Sequence, residues 1–169
     1  MSVDNNSSIV SQLLMQTMLN IKNDIKQNME NLQRNASNQS VKSLSVIVES
    51  DKVAYLEGLN TFFFMERGRK KGKIPHKFTD IIRQWIIDKG ISVTPKDSKS
   101  GRGKYSSQER GIREMAGAIA YTIKHNGTLL HRTGRFDDIM TTSIEKETEH
   151  LGDRMLEFLE SKFDIMITK

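Results

Sequence analysis

The chain has 169 residues, with 26 Lys and Arg against 21 Asp and Glu, a net charge of +5, and no cysteine. That length suits one compact domain able to bury roughly 70% of its unfolded surface. The missing thiol excludes disulfide scaffolds, thiolate zinc sites and cysteine nucleophiles, and His76, His125, His131 and His150 lack HxH or HExxH spacing, so no metal and no cofactor is expected.

The first ten residues, MSVDNNSSIV, hold no basic stretch and no apolar core, which predicts no signal peptide. No apolar run approaches the roughly 20 residues of a membrane-crossing helix, so no membrane partner is expected. From residue 7 to about 34, Gly and Pro are absent while Leu14, Met18, Ile21, Ile25 and Leu32 recur at helical spacing. This predicts a long helix within 1–37 whose narrow apolar stripe lies across a sheet or reaches a partner, ended by the small polar linker NASNQS. A single α+β domain is expected over 38–169, so that the whole is one compact domain.

KSLSVIVES alternates Leu44, Val46 and Val48 on one side, and KVAYLEGL follows with Val53, Tyr55 and Leu59, interrupted by Gly58. These predict an antiparallel hairpin. NTFFFME fits either a short strand or one or two helical turns. After Pro75, the residues Phe78, Ile81, Ile82, Trp85 and Ile86 match the helical template, with Trp85 read as core packing. Gly90 is expected as a left-handed C-cap with Ile91 as its apolar contact. Beyond a polar loop over 92–106, Ser106 and Glu109 make a capping-box spacing before Ile112, Met115, Ala116, Ile119 and Ile123, and the helix should stop at Asn126-Gly127. TLLHRTGRF reads as a short extended connection, with His125 and His131 in capping roles. Asp137 or Asp138 opens a last helix carrying Ile144, Leu151, Met155, Phe158 and Leu159. The expected fold class is therefore α+β: a long N-terminal helix, a small antiparallel sheet and three further helices.

No motif predicts catalysis. GRKKGK is one residue short of a phosphate-binding P-loop and has Ile74 where a hydroxyl should bind magnesium. SGRGK lacks a preceding strand, and the acids Asp137, Asp138, Glu145, Glu147 and Glu149 read as a solvated or partner-facing surface. The loop bearing Arg67, Arg69, Lys70, Lys71 and Lys73 suits contact with DNA or with an acidic protein surface; its RGR core is similar to that of an AT-hook, although Lys70 stands where the hook has Pro. Residues 96–113 carry a net +4 and residues 137–164 a net −6. Opposite charge in separate elements suits head-to-tail docking of copies, which closes a ring when the rotation allows. The expected subunit interface comprises Leu14, Met18, Ile21 and Ile25, with Lys104, Arg110 and Arg113 facing Glu145, Glu147 and Glu149.

The succession FMERGRKKGKIP, FTDIIRQWIIDKGI, AGAIAYTIKHNGT and a final acidic helix resembles the neck and tail-completion proteins of tailed bacteriophages, over about residues 57–163. His76 stands where family members often carry a second Pro. The resemblance implies a non-catalytic virion protein of the head-to-tail connector, assembled in the host cytoplasm as a homo-oligomeric ring. Its implied partners are portal or adaptor and tail proteins, with non-specific contact to genomic DNA. The basic loop would then touch DNA or a neighbouring ring. The alternative reading of the same residues is a small DNA-binding protein that uses the loop.

Overall fold

The computed structural model describes residues 3–34, 37–50, 52–98 and 104–167, with the helix ends 3–8 and 164–167 described by their backbone. Residues 35 and 36 of the expected linker, and 100–103 of the SGRGK segment, lie outside the described residues. The described elements are α1 (Val3–Asn31), α2 (Gln39–Lys42), β1 (Ser45–Val48), β2 (Ala54–Glu57), α3 (Thr61–Arg67), α4 (Phe78–Asp88), α5 (Ser107–Asn126), α6 (Leu129–Arg132) and α7 (Thr141–Ile167). The fold is α+β, mostly helical with one two-stranded antiparallel sheet. FFF is helical, within α3, and the connection expected to be extended instead forms the single turn α6, capped by the Thr128 hydroxyl.

The contacts divide the chain into two compact units, Met1–Phe62 with Asp137–Lys169, and Phe63–Phe136. A helix followed by one domain over 38–169 is the sequence expectation; the grouping differs because α7 returns to pack along α1, which also covers β1 and β2.

In the first unit, Ile21, Ile25 and Met29 form a buried line at four-residue spacing on α1. Met29 replaces Leu32, the exposed end of the stripe read from the sequence. Each such side chain contributes on the order of 1.5–3 kcal/mol when fully buried. The hairpin register pairs Val46 with Leu56 and Val48 with Ala54. Opposed residues share a face, so Ala54 and Leu56 join Val46 and Val48, while Val53 and Tyr55, the side expected to be apolar, are exposed.

In the second unit, α4 and α5 pack through Ile86, Val93 and Ala116, flanked by Ile82, Ile91, Ile112, Met115 and Ile119. Gly90 takes φ +61, and the Ile91 amide donates to the Ile86 carbonyl at 3.1 Å, so the expected C-cap and its apolar contact are both present. Ser106 Oγ accepts from the Glu109 amide at 3.2 Å, capping α5. Trp85 is 40% exposed, contrary to its reading as core, and Ile81 on the same stripe is 55% exposed. The reason is coverage: α4 packs chiefly on α5, which shields the line through Ile82 and Ile86 and leaves the flank of the stripe open.

Two glycines inside α5 make a matched test of packing against propensity. A Cβ at Gly117 would meet nothing within 4 Å, whereas one at Gly111 would collide with the Thr94 carbonyl oxygen and lie 3.2 Å from Val93. Gly117→Ala is expected to raise stability by about 0.5–1 kcal/mol through helix propensity. Gly111→Ala should lower it despite the same propensity gain; urea unfolding of both variants measures the contrast.

Candidate functional site

Residues 68–73 leave α3 and lie against the end of α5. The Arg69 amide donates to Thr128 Oγ1 at 2.8 Å, and the Thr128 amide donates back to the Arg69 carbonyl at 2.9 Å. The Gly72 amide donates to the Lys124 carbonyl at 2.8 Å, satisfying an acceptor in the last turn of α5. Two glycines permit this approach. Gly127 (φ +78) has the Arg69 carbonyl 2.8 Å from where a Cβ would stand, and Gly68 (φ +73) has the Thr128 hydroxyl and the His131 amide in that space.

The loop's five nominated cations therefore divide. The Arg69 guanidinium lies 5.0 Å over the Phe64 ring and 5.6 Å over Phe78, and donates to the Lys73 carbonyl at 3.1 Å. It is half-buried and holds the loop together. Arg67, Lys70, Lys71 and Lys73 are exposed, and the backbone bonds bring the exposed Lys124 and Arg132 to the same region. In sequence those two cations lie far from the loop, so the local pattern does not reveal that they join it. His125 stands in the last turn of α5 with its ring tilted at 37° against Tyr121, centroids 4.2 Å apart, and His131 supplies its amide to the Thr128 hydroxyl.

For the α1 stripe the alternative that holds is packing on the sheet within the subunit, and Glu147 leaves the expected interface. Ile21 and Ile25 are core of the first unit, because α7 and the hairpin cover them; Leu14 and Met18 are half-buried. Glu147 is only 4% exposed. Residues 145, 147 and 149 span both sides of a helix, so Glu145 and Glu149 are exposed while Glu147 turns to α1, where Asn20 Nδ2 donates to its Oε2 at 2.8 Å. This bond belongs to a series along the two antiparallel helices. Arg154 donates to Thr17 Oγ1 at 2.9 Å, Lys146 Nζ lies 3.4 Å from Asp24, and Asn28 Nδ2 donates to Ser143 Oγ at 3.2 Å and to the Ile139 carbonyl at 3.1 Å. Arg34 pairs with Asp137 beyond them. The Asn20 hydrogen bond, helped by Lys146 and His150, holds the Glu147 carboxyl below its ordinary pKa against the opposing effect of burial.

In the second unit, Arg113 Nε donates to Glu109 at 2.9 Å and its guanidinium lies 4.1 Å over Tyr105. Glu109 also accepts from Arg83 at 2.8 Å. Arg110 donates to the carbonyls of Lys96 and Tyr105. Arg110 and Arg113 are thus engaged within their own unit, and the Lys104 ammonium lies 5.8 Å over the Tyr105 ring. Among the described residues, no three His, Asp or Glu side chains gather as a metal site would require, and no helix is long and apolar enough to cross a membrane.

Compared with protein-family models, curated proteins and solved structures, this chain matches none.

Two outcomes follow from the geometry. Because the folded pKa of Glu147 is depressed, its contribution to stability is complete above its unfolded pKa, about 4.3, and is lost as pH falls through the folded value. Wild-type stability should therefore drop more steeply on acidification below that pH than that of Glu147→Gln, as urea unfolding across pH would record. Thr128→Val removes the hydroxyl bond to the Arg69 amide, roughly 1 kcal/mol of local stability. Trypsin should then cleave within 67–73 about five-fold faster, provided local opening limits cleavage.

Proposed function

We propose that this chain is a non-catalytic structural protein of a bacteriophage head-to-tail connector, a neck or tail-completion ring subunit that joins portal to tail around the DNA exit channel. It would reside in the virion, after assembly in the host cytoplasm with portal or adaptor and tail proteins. The observation that carries this reading is the partition of charge between the units. Residues 63–136 hold seventeen cations and six acids, a net +11, whereas the remainder holds nine cations and fifteen acids, a net −6. A chain so divided suits head-to-tail association, the basic unit of one copy against the acidic unit of the next, in the manner of a heterologous ring contact. The resemblance across residues 57–163 supports the same assembly.

Within that reading the acidic partner surface is Glu145 and Glu149, without Glu147, and Ile21 and Ile25 serve the subunit itself. Mass spectrometry of purified phage particles tests the assignment directly: the protein should be present in a fixed ratio to the portal, and its absence would overturn the proposal. Glu145→Lys combined with Glu149→Lys should lower incorporation by about five- to thirty-fold, each reversed rim charge removing roughly 0.5–1 kcal/mol.

A further inference from the structure

We infer that the second unit carries a composite binding face for the phosphate backbone of duplex DNA, built from two segments remote in sequence. Residues 67–79 contain six cations and residues 115–136 three, and neither segment contains a single Asp or Glu. Taken separately, each is an ordinary basic stretch. The structure joins them: the Arg69 amide and carbonyl both bond to Thr128, and Gly72 bonds to the Lys124 carbonyl. Arg67, Lys70, Lys71 and Lys73 thereby come beside Lys124 and Arg132, and all six are exposed.

None of the unit's six acids lies within either segment. Glu66 is fully buried, Glu109 accepts from both Arg83 and Arg113, Glu114 lies 3.3 Å from Lys96, and Asp80, Asp88 and Asp97 stand on α4 or the loop that follows it. Like charges on a mobile loop can spread apart to reduce repulsion. Those on a loop fixed by backbone bonds cannot, since charges closer than the Debye length of about 10 Å remain only partly screened. A polyanion relieves that repulsion, and the regular charge of duplex DNA, one per about 1.7 Å of axis, offers a phosphate to each cation with release of its counterions. The chemistry of the loop favours backbone over bases. The Phe64 and Phe78 rings are each engaged on one side by the Arg69 guanidinium, whereas single-strand binding uses a series of free ring faces along the groove.

This face stands on the second unit alone and does not depend on the connector reading. The test is a fluorescence-anisotropy titration of the full chain with a labelled DNA duplex across a salt series. Six phosphate contacts give a slope of log K against log salt of about −5, a loss of about 10³-fold between about 50 and about 200 mM. Lys124→Ala with Arg132→Ala should flatten that slope by about 1.8, and Lys70→Ala, Lys71→Ala and Lys73→Ala together by about 2.7. Glutamine at the same positions should behave alike, and Lys42→Ala with Lys52→Ala in the first unit should change nothing. A slope untouched by the Lys124 and Arg132 changes would overturn the composite face. Tighter binding to single strands than to the duplex would overturn the duplex assignment, and equal binding to an oligoglutamate would assign the face to an acidic protein instead.

Discussion

The reciprocal bonding of Arg69 and Thr128 is the constraint on which the second unit's surface depends. One residue of a loop and one residue after a helix exchange two hydrogen bonds, amide to hydroxyl and amide to carbonyl. The Thr128 hydroxyl also accepts the His131 amide, so the same oxygen starts α6 and anchors the loop. Such an exchange requires two backbones to touch. That is why Gly68 and Gly127, both at positive φ, occupy the points of nearest approach, where any side chain would meet backbone or the hydroxyl itself. The Arg69 guanidinium completes the anchor from within the loop, so a sequence that reads as a uniform run of cations contains one structural member and several exposed ones.

The first unit rests on a different device. Its two long helices meet through apolar residues at Ile21, Ile25 and Met29, but their register is set by polar pairs: Thr17 with Arg154, Asn20 with Glu147, Asp24 with Lys146 and Asn28 with Ser143. A buried carboxylate is destabilising unless hydrogen-bonded, and Asn20 supplies that bond. Sliding α7 by one turn would exchange the Asn20 partner of Glu147 for Thr17 or for Asp24, a second carboxylate, and would break the other pairs of the series. The series therefore discriminates against other registers more than it adds net stability, as expected for buried polar pairs whose desolvation offsets most of their attraction.

Charge links the two units to function. The net sign differs between them, so the modest overall charge of +5 conceals a strongly basic unit and an acidic one. Such a distribution favours recognition by complementary potential, either of a second copy or of a polyanion, and makes association sensitive to salt.

What the sequence by itself determined is whatever depends on neighbours a few residues away. The long first helix, the hairpin, the stop at Gly90 with Ile91 behind it, the Ser106 cap and the end of α5 at Asn126-Gly127 were all legible, because periodicity, capping and positive φ act within one or two turns. The tertiary structure alone decided which side of each pattern faces inward. The hairpin register turned Ala54 and Leu56 inward in place of Val53 and Tyr55. Packing by α5 left Trp85 exposed on a helix whose apolar stripe is wider than its partner. The return of α7 converted Ile21, Ile25 and Glu147 from a supposed interface into the interior of the first unit. It also took contact between residues about 60 positions apart to place Lys124 and Arg132 beside the basic loop. A helical or alternating pattern identifies a face, but burial and charge clustering depend on what meets that face, and those partners lie too far along the chain for local rules to reach.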